Sequence, residues 1–310
     1  MGMSFAEADG NRPARDIVAE YYARYEREAG LHVRRPVTVR RVEYRPEGFA
    51  VTLLDEVHGE TAVVTAQTIV NASGTWGSPV LPELPGREDF TGRQLHTANY
   101  VSAEELRGQR VAVVGGGASG IGFLVELEGV ARETAWFTRR PVEFLLQDEL
   151  DRGRAIAAVA EQDRAARAGE VLPSIVSGTG MILSGERRRL YDAGRLRPEP
   201  LPAAVEPGGL RRADGTLFAA DTIIWATGFR AELDHLAPLG LQEDGGGWQV
   251  ADGRLVREPR IFLAGYGPQA STIGANRAGR QTATAVLTEL GRRAPRAPGL
   301  AAGAESSARV

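Results

Sequence analysis

The 310-residue chain contains no cysteine. Disulfides, thiolate nucleophiles, cysteine-ligated zinc and a dithiol redox centre are therefore excluded. Lysine is absent as well, so every basic side chain other than histidine is arginine and Schiff-base chemistry on a lysine is excluded. We read the missing lysine as a codon bias. Charge of one sign is also lacking: 37 basic residues stand against 40 acidic ones, a formal net charge of −3. That balance gives no nucleic-acid surface and no polybasic membrane patch. No apolar run approaches the roughly 18 residues of a membrane span. The start of the sequence carries no apolar signal-peptide core, so a soluble cytoplasmic protein is expected. The remainder is ordinary, with 43% hydrophobic and 25% charged residues, enough for one large or two ordinary domains.

The most informative stretch is residues 110–140. Arg110-Val111-Ala112-Val113-Val114 is the short apolar run of a parallel strand buried on both faces. Gly115-Gly116-Gly117-Ala118-Ser119-Gly120 follows at once, and Ile121-Gly122-Phe123-Leu124 opens a helix. Thr134-Ala135-Trp136-Phe137-Thr138 supplies a second strand. This is the context in which G-x-G-x-x-G carries meaning. Gly115 permits the tight turn, Gly117 lets backbone approach a pyrophosphate, and Gly120 brings helix close to strand. The helix start offers unpaired N–H groups and partial positive charge to phosphate. An NAD-preferring site places an acid at the end of the second strand. Here Arg139 and Arg140 stand there, and a guanidinium grips a 2′-phosphate that a carboxylate would repel. The cofactor expected at this turn is NADP(H).

Upstream, residues 16–28 read as a helix with Ile17, Val18, Tyr21, Tyr22 and Tyr25 on one face, stopped by Gly30. Residues 37–44 and 49–54 read as a hairpin, and 61–70 as a third strand running into Asn71. Prolines 79, 82 and 85 mark an extended linker. Downstream, residues 148–170 read as a solvated helix, 173–183 as a loop and 184–193 as a short helix. Residues 196–205 and 209–218 read as strands, 221–229 and 261–267 as buried strands, 274–290 as a helix, and 291–310 as a disordered tail.

Three segments together resemble the flavin-containing monooxygenases. Phe90-x-Gly92-x-x-x-His96-x-x-x-Tyr100 is similar to that family's fingerprint, with the tyrosine of the N- or S-oxygenating branch where Baeyer–Villiger enzymes carry tryptophan. Val101 departs from the Lys or Asp that follows this aromatic in the family. Ala72-Ser73-Gly74-Thr75-Trp76 and Ala226-Thr227-Gly228-Phe229 resemble the two crossings between an FAD domain and an NADP domain, Ser73 replacing the usual threonine. Leu263-Ala264-Gly265-Tyr266 and Ser271-Thr272-Ile273-Gly274 resemble the closing flavin-binding strand and helix.

The resemblance implies an α/β, three-layer flavoprotein with two dinucleotide-binding domains. The NADP(H) domain, residues 93–218, would be inserted in an FAD-type domain made of residues 1–92 and 219–290. It implies that Gly115, Gly117, Ala118, Ser119 and Gly120 hold the NADP pyrophosphate and that Thr227 and Gly228 lie near it. It also implies that Val39 backs the FAD adenine, that Ala72, Ser73, Gly74, Thr75 and Trp76 lie near the FAD, and that Gly265, Tyr266, Thr272 and Ile273 approach the flavin. The implied activity is NADPH-dependent oxygenation of a soft nitrogen or sulfur nucleophile of a small molecule through a flavin hydroperoxide. No acid–base residue stands out; His96 is the one candidate, and a structural role suits it better. The family's first G-x-G-x-x-G has no counterpart in these residues. Weak FAD binding is therefore expected of the chain alone, with a second chain or a dimer completing the FAD domain. The alternative is an NADP(H)-binding fragment or subunit without its own FAD and without turnover.

Overall fold

A computed structural model describes residues 12, 14–146, 152–173, 180–270 and 275–291. The chain divides into two compact units, residues 1–66 and 67–310. The first holds helix α1 (Ala14–Glu28) and strands β1 (Val37–Arg45), β2 (Gly48–Asp55) and β3 (Thr61–Ala66) in an antiparallel sheet ordered β1-β2-β3. Arg45 pairs with Gly48, so Pro46 and Glu47 alone turn the hairpin, and the register shifts between Val39 and Arg41. The sequence pattern joins residues 61–70 into one strand. The structure breaks it, because β4 (Ile69–Asn71) leaves this sheet for another.

The second unit is built on a five-stranded parallel sheet. Its strands are β5 (Arg93–His96), β6 (Arg110–Val114), β7 (Glu133–Thr138), β10 (Glu199–Pro200) and β14 (Thr222–Trp225), in the order β10-β7-β6-β14-β5. β6 is flanked on both sides, which is why its sequence is a continuous apolar run. Its side chains alternate between two cores. Val111 and Val113 pack with Ile121, Leu124 and Leu127 of α2 (Ala118–Leu127) and Leu190 of α4 (Gly185–Asp192). Ala112 and Val114 pack with Phe137, Leu210, Phe218 and Trp225. Leu210 and Phe218 come from the antiparallel meander β11 (Ala204–Glu206), β12 (Gly209–Arg211) and β13 (Leu217–Ala219). The three layers are thus helices, parallel sheet and a second sheet. A boundary at residue 218 does not describe this sheet, because β14 lies in its interior, hydrogen-bonded to both β5 and β6.

A four-stranded sheet, β15-β16-β17-β4, brings distant segments together: β17 (Ile261–Leu263) runs parallel to β4, with Leu263 opposite Asn71, and β16 (Arg254–Leu255) pairs with β17 and β15 (Val250–Ala251). β8 (Phe144–Leu146) and β9 (Met181–Leu183) form a small parallel pair. Met181–Leu183 is strand where the sequence suggested loop, because its register depends on a partner 37 residues away, Phe144 against Met181. Helices α3 (Arg152–Ala168) and α5 (Ala275–Glu289) complete the unit. The expected disordered tail lies almost wholly outside the described residues, as do the starts of the helices expected from 148 and 274.

One charged contact pins the start of β14 to β6. Asp221 accepts from the Arg110 backbone N–H at 2.8 Å and from its guanidinium at 2.6 and 3.1 Å. The guanidinium and the N–H hold the Asp221 carboxyl down at about 2. A depressed folded-state value stabilises above the unfolded carboxyl's range and is lost as pH falls toward 2. D221N should therefore melt below the parent protein by a constant margin between about pH 5 and 7, and the margin should narrow below about pH 4. Thermal melts followed by circular dichroism across that range check this.

Candidate functional site

The site is the crevice outside the carboxyl ends of β6 and β14, where the strand order reverses: the chain passes from β6 outward to β7 and β10, and β14 and β5 lie on the other side. Gly115 has φ 135°, and a Cβ on it would lie 2.1 Å from the Ala226 carbonyl oxygen. Gly120 presses on the same turn, since its Cβ would lie 2.3 Å from the Gly115 oxygen. Gly117 differs, for nothing lies within 4 Å of where its Cβ would be. It caps the ten-residue helix α2, whose first turn carries no acidic residue. The first-turn N–H groups thus face an open space with the positive end of the helix behind them. Ala118 and Ser119 are exposed there. The turn itself is held by two hydrogen bonds, from Gly115 N–H to the Phe137 carbonyl at 2.8 Å and from Trp136 Nε1 to the Gly115 carbonyl at 2.8 Å.

Arg139 and Arg140 follow β7 directly and are exposed. Thr138 lies 3.4 Å from the position a Gly116 Cβ would take, so the pair sits beside the glycine turn. Many surface arginines are tied to carboxylates, as Arg107 is to Glu104 and Arg164 to Glu161, though exposed Arg27, Arg45 and Arg132 have no ion pair with a described residue. Arg139 and Arg140 form no such pair with a described residue.

Beyond Ala226, Thr227 donates its hydroxyl to the Val80 carbonyl, and Gly228 turns through φ 83° with open space beside it. The Gly228 carbonyl accepts from Val80 N–H at 3.0 Å and lies 3.1 Å from His96 Nε2. The Ala98 N–H donates to His96 Nδ1 at 3.2 Å, which makes Nε2 the protonated nitrogen and the donor to Gly228. Burial lowers the His96 pKa. The imidazole is thus a neutral structural clamp, with both nitrogens engaged. Its ring meets Phe229 edge-on at 4.9 Å, and Phe229 stacks on Trp76 at 5.1 Å and 19°. His96, Phe229 and Trp76 come from the fingerprint and the two crossings, so one aromatic column joins all three. Tyr100 donates its hydroxyl to Glu126 of α2 at 2.9 Å and packs on Phe123 at 4.4 Å. Burial and Glu126 push its phenol pKa up.

The first crossing is held by polar contacts. Ser73 donates to the Glu232 carbonyl at 2.5 Å and accepts from Asn71 Nδ2 at 3.0 Å, and His235 Nε2 lies 2.8 Å from Asn71 Oδ1. Sequence reasoning missed Asn71, Glu232 and His235, because only β4 and the chain after β14 meeting in space makes them partners. Ala72, Ser73, Gly74 and Thr75 follow β4, while Gly265 and Tyr266 follow the parallel β17, so both segments leave the same sheet end. Gly74 and Gly265 both have positive φ and open space beside them. Burial raises the Tyr266 pKa. Val39 lies on β1 of the first unit and is exposed. Thr272 and Ile273 lie outside the described residues. Among the described residues, no group of His, Asp and Glu is arranged to hold a metal, and no helix is long and apolar enough to cross a membrane.

Fold and crevice together define a flavoprotein of the two-dinucleotide-binding-domain architecture. The family model described as pyridine nucleotide-disulphide oxidoreductase matches residues 3–150. A flavin-containing monooxygenase from Stenotrophomonas maltophilia is similar in structure, with a TM-score of 0.73 and 32% identity over 93% of this chain and 81% of that one. This chain belongs to the flavin-containing monooxygenase family. It is 27% identical over 243 residues to the indole-3-pyruvate monooxygenase YUCCA8 of Oryza sativa subsp. indica, covering 69% of this chain and 57% of that protein. It is also 34% identical over 101 residues to the phenazine N-monooxygenase PhzNO1 of Lysobacter antibioticus, 30% of this chain and 18% of that protein. The chain thus spans little more than half the length of the curated relative it matches over most of its own length.

The glycines should separate by role. Gly115→Ala and Gly120→Ala force a side chain into backbone and should each cost about 2–4 kcal/mol of stability. Gly117→Ala, with open space around it, should stay within about 0.5 kcal/mol of the parent. Denaturant melts of the three variants check this.

Proposed function

We propose that this chain is an NADPH-dependent flavoprotein oxidoreductase of the monooxygenase type, acting on a small molecule and oxygenating a soft nitrogen or sulfur nucleophile. The observation that carries the nucleotide part is the open side of Gly117, at a helix N-terminus with two uncommitted guanidiniums beside it. Backbone N–H groups from Gly117 to Gly120 would hold the pyrophosphate, and Arg139 and Arg140 would grip the 2′-phosphate bidentately. The glycine spacing and the free cations fit that ligand. For FAD, residues 72–76 and 265–266 fit as two chain segments leaving one sheet end, each with an open glycine. Among the described residues, a helix-capping glycine turn of the kind that holds a pyrophosphate is found only at 115–120, the turn given above to NADP(H). The flavin, when bound, supplies the redox and oxygen chemistry. The chain's residues would bind and orient it.

Family membership and the N-oxygenating relative support the monooxygenase reading, and Tyr100 in the fingerprint supports the N- or S-branch. A chain that binds NADP(H) without flavin and without turnover is the alternative. Purified protein loaded with FAD should show the flavin absorbance band and should consume NADPH in an oxygen-dependent manner, faster with a tertiary amine or thioether. Protein that binds NADPH but stays colourless with added FAD would leave only the alternative.

The arginine pair gives an independent test. Two charge-assisted contacts of about 1.5–3 kcal/mol each vanish in the double variant R139A/R140A. Its NADP(H) affinity should fall at least about tenfold while NAD(H) affinity stays within about twofold. Calorimetric titration with both nucleotides measures this, and equal losses would refute the assignment.

A further inference from the structure

Trp76 stands apart from the other tryptophans. It is 61% exposed, whereas Trp136, Trp225 and Trp248 are 2%, 1% and 6% exposed. One face of its indole lies against Phe229, nearly parallel at 5.1 Å. Phe229 is in turn fixed edge-on by His96, and His96 by Gly228 and Ala98. A large aromatic ring is therefore held rigidly at a surface. Such an arrangement is a platform for a planar partner, because stacking on a ring already ordered costs little further side-chain entropy.

The sheet order says which planar partner. If the pyrophosphate lies on Gly117, at the end of β6, then Arg139 and Arg140, at the end of β7, draw the phosphorylated adenosine half to the β7 side. A dinucleotide laid across the strand ends must then run its other half the opposite way, over β14 and the chain that leaves it. That chain is Ala226-Thr227-Gly228-Phe229, open at Gly228 and ending on the ring that carries Trp76. We infer that the Trp76 indole stacks the nicotinamide of NADP(H), with Phe229 and His96 as its rigid backing. The inference rests on the nucleotide reading above and adds the ring contact to it. Indole is electron-rich and the oxidised nicotinamide is a cation, so the pair gains a cation–π attraction beyond its buried area.

Because Trp76 is the exposed tryptophan, its emission isolates the contact. Iodide should quench this component of the free 310-residue protein and leave the three buried indoles dark to it. Saturating NADP+ should remove most of the iodide-accessible fraction. 2′,5′-ADP, which carries the adenosine and 2′-phosphate but no nicotinamide, should bind and leave that fraction unchanged. W76A should weaken NADP+ about fivefold to tenfold and 2′,5′-ADP less than about twofold, and W76F should recover most of the loss. Unchanged 2′,5′-ADP affinity in W76A shows that the variant is folded. If both ligands bind by calorimetry and neither shields Trp76, or both shield it equally, the stacking inference is wrong and the nucleotide site stands. If 2′,5′-ADP and NADP+ both fail to bind, the site assignment falls and the stacking inference with it.

Discussion

The contact on which the second unit depends is the close approach of Gly115 to the Ala226 carbonyl. There is no room for a single carbon between them, with 2.1 Å left to a would-be Cβ. That approach lets β6 and β14 run side by side to their carboxyl ends, with Trp225 opposite Val114 and Ala226 N–H bonded to Val114. It also sends the glycine turn back over the sheet, so that α2 starts above the crevice. Gly120 against Gly115 repeats the same exclusion one turn later. Two backbone clearances thus set the height and direction of a helix dipole at the strand ends.

The polar contacts around the crevice act differently. Many ion pairs of this arginine-rich surface are well exposed on both sides, as Arg107–Glu104 and Arg188–Asp192 are. Pairs of that kind contribute about 0–1 kcal/mol each. They keep the surface hydrated and paired without choosing its shape. The bonds that choose shape are neutral: His96 on Gly228 and Thr227 on Val80, both partly buried, and the exposed pair Asn71 on Ser73 and Ser73 on the Glu232 carbonyl. Three of them join segments more than 130 residues apart, and the Asn71–Ser73 bond is local. At His96 or Thr227, losing the partner would leave a partly buried polar group unpaired, a cost of about 1–3 kcal/mol.

What was legible in the sequence is what local pattern encodes. Val111–Val114 announced a strand buried on both faces, the glycine spacing announced the turn, and Arg139 with Arg140 announced the cations at the end of β7. The hairpin over Pro46 and Glu47 was equally local. The break at residues 67–68 was not legible, because both halves of 61–70 have β-forming residues and only the sheet they join differs. β9, β15 and β16 were invisible for a related reason: two- or three-residue strands exist by virtue of distant register partners rather than their own propensity. The sheet membership of β14 was misread because the crossing motif marks where a chain changes direction, and β14 finishes one sheet before that change. The polar lock of Asn71, Ser73 and His235 spans more than 160 residues, Asn71 to His235. No spacing rule covers that distance.

The same geometry explains why no acid–base residue stood out in the sequence. His96 spends both ring nitrogens on backbone, and burial keeps it neutral. Tyr100 spends its hydroxyl on Glu126 and is held in its protonated form. The fingerprint residues that look chemical are framework, fastening β5 to α2 and to the crossing after β14. A chain built this way contributes position and electrostatics: a helix terminus, two guanidiniums, open glycines and a rigid aromatic column around a crevice. It is a scaffold suited to reactants that bring their own redox chemistry, because a bound hydride donor needs its ring held still and its phosphates neutralised more than it needs a proton.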